Sequence, residues 1–183
     1  MRRMSVRKLT ALGMLTALNI IMAEVAKFPI VPKVLELSFG FVPVAVAGML
    51  FGPWTAMVMS GVADVLGAIL AGVEFFPGYT LSAVLSGLFY GLLLKNTYQP
   101  GFGGCGKRFL PNKALLKVML SQLLVSLIVY SGCNTLWAYL MGYGRSVEYI
   151  ITRLTVNVIA YPVYVLVLVL LMRYRKALEK AVK

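Results

Sequence analysis

Long apolar runs, broken by short polar or glycine–proline segments, recur from one end of the chain to the other. The first spans about Leu9 to Ala26, behind the basic lead Arg2, Arg3, Arg7 and Lys8. Signal peptides share that order, but Ala23-Glu24-Val25-Ala26 sets its small residues at the wrong offset for cleavage, which favours a retained helix. A connector from Lys27 to Ser38 carries Pro29 and Pro32, and a second, short helix is expected over Phe39 to Phe51. Gly52-Pro53 stops it, because proline cannot continue a helix and restricts the residue before it. Third and fourth helices follow over Trp54–Ala71 and Thr80–Leu94, with the aromatic loop Gly72 to Tyr79 between them. Lys95 to Lys117 is the longest polar stretch. A fifth helix is expected over Val118–Met141, a turn at Gly142-Tyr143-Gly144, and a sixth over Val147–Met172 before a basic tail.

Runs of this length are read as membrane spans, and composition agrees. Hydrophobic residues make up 60% of the 183 positions and charged residues 13%, against about 25% charged in a soluble domain. The expectation is an all-α membrane protein of six transmembrane helices, with residues 1–183 forming a single integral-membrane domain. The fourth span, at fifteen residues, covers only about 22 Å against a hydrocarbon core of about 30 Å. Such short spans either extend into their loops or cover a partner or cavity rather than lipid alone.

The bases test the number of spans. Four lie at the amino terminus, five in the middle stretch (Lys95, Lys107, Arg108, Lys113, Lys117) and five in the tail, with Glu179 the only acid among them. Lys27, Lys33 and Arg145 fall on the other side with Glu24, Glu36, Glu74 and Glu148. Cytoplasmic loops are enriched in Lys and Arg, so this asymmetry predicts an even number of spans with both termini cytoplasmic. It also explains the net charge of +12 without nucleic acid, whose binders gather bases on one folded polar face.

Other chemistries find no support. There is no histidine, and Cys105 and Cys133 make no disulfide framework or metal-ligand spacing. Gly101 to Arg108 matches GxGxxG and nearly matches a phosphate loop, but no strand precedes it and Arg108 stands where a magnesium-binding hydroxyl belongs. It reads as a linker, so the chain has no ATPase of its own. No paired carboxylates or serine–histidine set suggests an enzyme.

Ionisable and amide groups within membrane spans are functional candidates by default. Arg153 and Asn157, four apart, share one face of the sixth helix; Asn134 and Trp137, three apart, share one face of the fifth. Together they offer a permanent cation, two amides and an indole, a set suited to a planar heteroaromatic ligand carrying a carboxylate. The competing reading is a polar clamp between helices, with Arg153 paired to Asp64 or Glu148. Asp64, among Ser60, Gly61, Gly67 and Ala68, reads as packing. Phe75 and Tyr79 form either an aromatic wall or an interfacial belt. Gly13 and Ala17 make a small-xxx-small strip that serves either a partner helix or the bundle itself.

Several segments together resemble the substrate-binding (S) components of energy-coupling-factor (ECF) transporters, and most of all the folate-specific FolT family. They are Leu37-Ser38-Phe39-Gly40-Phe41-Val42-Pro43, Phe51-Gly52-Pro53-Trp54, Gly61-Val62-Ala63-Asp64-Val65-Leu66-Gly67, the run Phe75 to Gly87, Asn134-Thr135-Leu136-Trp137, and Arg153. The likeness covers essentially the whole chain, and the glycine-rich insert is a departure. It implies a multi-pass protein of the prokaryotic plasma membrane that binds folate from outside. It also implies association with a transmembrane coupling subunit (EcfT-like) and two cytoplasmic ATPases (EcfA-like). The family's coupling strip, AxxxA, reads Gly13-Met14-Leu15-Thr16-Ala17 here. Asn134 or Asn157 would then read a pterin edge, Trp137, Phe75 and Tyr79 would stack on rings, Arg153 would meet a carboxylate or the heterocycle, and Lys33 the outer carboxylate. An S component for another vitamin or precursor, and a structural membrane subunit without ligand, are the rival readings. No cofactor or metal is expected.

Overall fold

In a computed structural model, which describes residues 6–24, 27–31, 35–95, 97, 112–142 and 147–182, the apolar runs form helices. They are α1 (Val6–Glu24), α2 (Phe41–Phe51), α3 (Pro53–Ala71), α4 (Pro77–Lys95), α5 (Asn112–Leu124), α6 (Asn134–Leu140), α7 (Val147–Arg173) and α8 (Arg175–Val182). A π-helical segment, Val125–Cys133, joins α5 to α6, so Lys113–Leu140 forms one apolar span. Among the described residues five spans are long and apolar enough to cross a membrane: α1, α3, α4, the α5–α6 unit and α7. The shorter α2, of 11 residues, reaches only about 16 Å and falls short of the hydrocarbon thickness by itself. It is buried almost all round, as a helix that is apolar on every side must be.

The helical class expected from sequence stands, with one addition in the connector. Lys27–Val31 (β1) and Leu35–Ser38 (β2) form a two-stranded antiparallel ribbon, with Phe28 opposite Leu37 and Pro29 opposite Glu36. The signal was the alternation Leu35-Glu36-Leu37-Ser38, which has the period of a strand. Pro29 is tolerated because both strands of a two-stranded ribbon are edges. The basic tail also forms a helix. Arg175 begins α8, is nearly buried, and its Nη1 donates to the carbonyls of Leu94 and Lys95 at 3.3 and 3.2 Å. A guanidinium there satisfies the orphan carbonyls at the end of α4 and meets its negative dipole end.

Packing is tightest around α4. A Cβ on Gly91 would lie 2.2 Å from the Pro53 Cα, and one on Gly87 would lie 2.7 Å from the Ala56 carbonyl oxygen. This small-xxx-small strip lets α4 touch the first turn of α3 backbone to backbone. At the α2–α3 turn Gly52 has φ 96°, a conformation costly for any other residue. Further down, the buried Tyr90 hydroxyl donates to Gln122 Oε1 at 2.7 Å, and Gln122 Nε2 donates to Ser126 Oγ at 3.2 Å, tying α4 to α5. Phe41 meets Tyr164 edge to face at 4.7 Å, tying α2 to α7.

The helix directions gather the described bases of α1, α5, α8 and the end of α4 at one end of the bundle. The opposite end is built from the ends of α1, α3 and α6, the starts of α2, α4 and α7, and β2. That end holds the cavity.

Candidate functional site

A cavity of about 650 Å³ opens at this end. Asn134, Arg153, Asn157, Phe75 and Tyr79, each singled out from sequence, line it. The four-residue spacing places Arg153 and Asn157 one turn apart on α7, and Asn134 begins α6 where the π segment ends. Wide π turns are frequent at functional sites, and this one meets the cavity through Val129 and Tyr130.

The polar groups divide into satisfied and unsatisfied ones. Asn157 Nδ2 donates to Ser131 Oγ at 3.0 Å, fixing α7 against the π segment. The Arg153 guanidinium lies 5.3 Å from the centroid of the Tyr149 ring, a cation–π arrangement. Arg153 Nη1 and Asn134 Oδ1, by contrast, are buried and have no hydrogen-bond partner. Buried polar atoms are almost always paired, so two orphans of opposite polarity on one cavity are informative. Among the described residues Arg153 makes no ion pair, so the expected alternative of a clamp to Asp64 or Glu148 is not what the structure has.

Trp137 is placed differently from the sequence-based expectation. It does not line the cavity but stands behind it: its Nε1 donates to Ser82 Oγ at 3.0 Å, and its ring lies 5.9 Å from Phe76. Phe76 in turn meets Tyr79 edge to face at 6.0 Å. The layer is close-packed at Gly78, where a Cβ would lie 2.5 Å from both the Phe76 and Trp137 rings. Lys33 lies outside the described residues, as does the glycine-rich stretch 101–111. Gly13 and Ala17 are exposed on α1, and a Cβ on Gly13 would meet nothing within 4 Å. The strip is therefore not used for packing inside the bundle.

Sequence reasoning read Asp64 as structural pairing between helices rather than as a ligand contact. The small residues around it suggested helix packing, yet it lines the cavity, with Oδ2 accepting a hydrogen bond from Thr80 Oγ1 at 2.7 Å. Its position within an apolar span was the available signal.

A helical membrane bundle with an end-opening polar-aromatic cavity is the architecture of a small-molecule capture protein. Residues 7–182 match the family of ECF transporter substrate-specific components, and the chain belongs to that family. Such a component is a substrate-binding subunit of a prokaryotic membrane transporter, not an enzyme, and it operates with further transporter subunits. The folate transporter FolT of Clostridium novyi is 33% identical over 137 residues, covering 74% of this chain and 71% of that protein. FolT of Leuconostoc mesenteroides subsp. mesenteroides is 27% identical over 169 residues, covering 89% of this chain and 83% of that protein. A crystal structure of FolT bound with folic acid superimposes with a TM-score of 0.72 at 29% identity, covering 88% of this chain and 90% of that one. A bacterial ECF transporter S component shares the fold with a TM-score of 0.58 at 19% identity, over 93% and 94% of the two chains.

Proposed function

We propose that this protein captures folate from outside the cell for an ECF importer. The observation that carries this reading is the pair of unpartnered buried atoms, Asn134 Oδ1 and Arg153 Nη1, on one aromatic-walled cavity. A conjugated heterocycle with a donor–acceptor edge and a carboxylate-bearing tail satisfies both and stacks on rings. The FolT relatives, one of them solved with folic acid, support folate over other vitamins.

In this reading residues 1–183 are one domain of six spans, with α2 completing its crossing through its flanking turns. Both termini and the basic end lie in the cytoplasm, and the cavity faces outward in a multi-pass plasma-membrane protein. Arg153 and Asn134 hydrogen-bond the ligand, Asn157 is oriented by Ser131, and Phe75 and Tyr79 enclose the ring system. Trp137 supports that wall from behind, and Lys33 meets the outer carboxylate. Gly13 and Ala17 dock an EcfT-like coupling subunit, to which two EcfA-like ATPases supply energy.

Titrating purified protein with folic acid, riboflavin, thiamine and biotin tests the proposal. Saturable binding and thermal stabilisation by folic acid alone are expected. Preference for another vitamin would reassign the substrate, and indifference to all of them would overturn the capture role.

A further inference from the structure

Three charged residues line the cavity, Asp64, Glu74 and Arg153, and the two that sit within helices, one acid and one base, do not meet. Asp64 on α3 and Arg153 on α7 both line it, yet no ion pair joins them. In a membrane interior an unpaired charge is expensive, and opposite charges facing one cavity would bridge unless something were meant to sit between them. Asp64 is held by Thr80, whose hydroxyl donates to Oδ2 at 2.7 Å, while Oδ1 accepts no hydrogen bond from any described residue. A carboxylate oxygen accepts about two hydrogen bonds, so Oδ1 and the second lone pair of Oδ2 remain for a ligand.

We infer that Asp64 is a specificity-determining subsite that reads a pair of adjacent N–H donors on the bound heterocycle, opposite the Arg153–Asn134 subsite. The inference rests on the folate reading and deepens it. A 2-amino-4-oxopyrimidine ring presents a ring N–H and an exocyclic amino group side by side, in the spacing of the two carboxylate oxygens. Both hydrogen bonds are charge-assisted. Thr80 acts as the positioning residue: it fixes the carboxylate's rotamer so that its free edge faces the cavity. The cavity therefore selects a molecule with donors at one end and acceptors or anionic groups at the other. A carboxylate-bearing ligand without the donor pair would leave Asp64 stranded.

Three ligands separate the parts of this inference: folic acid, its 2-desamino-2-methyl analogue, and p-aminobenzoylglutamate, which has no pterin. Wild-type protein is expected to bind folic acid about ten- to a hundredfold better than the desamino analogue. D64N should weaken folic acid by a similar factor and collapse its advantage over the analogue, with p-aminobenzoylglutamate affinity little changed. T80V should reduce the same discrimination to a smaller degree, and it decides the matter if D64N does not fold. Unchanged discrimination in the folded variants, or a wild type that binds folic acid no better than the analogue, overturns the Asp64 assignment alone. A wild type that binds no folic acid takes down the folate reading and this inference with it.

Discussion

Trp137 Nε1 donates to Ser82 Oγ at 3.0 Å, joining α6 to α4 directly behind the aromatic wall of the cavity. A buried indole N–H normally finds such a partner, and here the bond sets the plane against which Phe76 rests. W137A removes that backing and should weaken folic acid binding about tenfold or more. W137F keeps an aromatic ring but gives up the hydrogen bond, worth about 1 kcal/mol, and the pyrrole edge, so a loss of about fivefold or more is expected. Calorimetric titration of both variants gives the comparison; equal affinities in W137A and wild type would show that the wall needs no support.

R153A and N134A test the recognition atoms themselves. A hydrogen bond involving a charged group contributes about 1.5–3 kcal/mol and a neutral one about 1, so R153A should lose more than tenfold and N134A several-fold. Because neither atom has a protein partner, folded yield should hold or rise. Wild-type binding by both variants would place the ligand elsewhere.

The exposed strip on α1 leads to a separation of binding from transport. G13W or A17W should leave folic acid affinity near wild type, since the cavity is lined by the other end of α1, through Asn19, Ile20 and Ala23. Uptake by the assembled transporter should fall sharply, because bulk there blocks close helix approach. Binding and uptake measured on the same preparation decide it, and a parallel fall in both defeats the docking role.

Orientation follows from the bases. A reporter fused after Lys183 and one inserted near Gly101 should both read cytoplasm, as the positive-inside bias requires. An external signal at either site ends the six-span topology.

G91A should destabilise the bundle, because its new methyl would fall 2.2 Å from the Pro53 backbone. Overpacking of this kind costs about 1–3 kcal/mol or more. A drop in melting temperature of the purified, ligand-free protein checks it.

What the sequence made legible follows from how local each signal is. The apolar runs gave the helices, and the four-residue step from Arg153 to Asn157 was enough to place both on one cavity. Asp64 was harder, since small neighbours point equally to packing and to making room for a ligand. The ribbon's alternation in Leu35 to Ser38 was present but hidden between prolines. Two features had no local signature. The inward turn of Arg175 depends on the end of α4, about eighty positions earlier in sequence, and nothing in Val125–Cys133 announces wide turns rather than ordinary ones. Trp137 is a milder case: its spacing to Asn134 is right, but only the packed structure reveals that Phe76 stands in front of it.

The π segment acts as a phase setter for everything after it. Each residue advances an ordinary helix by about 100°, so the slack wound into Val125–Cys133 fixes the azimuth at which Asn134 and Trp137 emerge. Winding the same residues in ordinary turns would carry both side chains past that azimuth, whereas loss of a single residue there is absorbed when the wide turn tightens. A protein wound uniformly through that segment would still cross the bilayer, yet present its ligand with the wrong face.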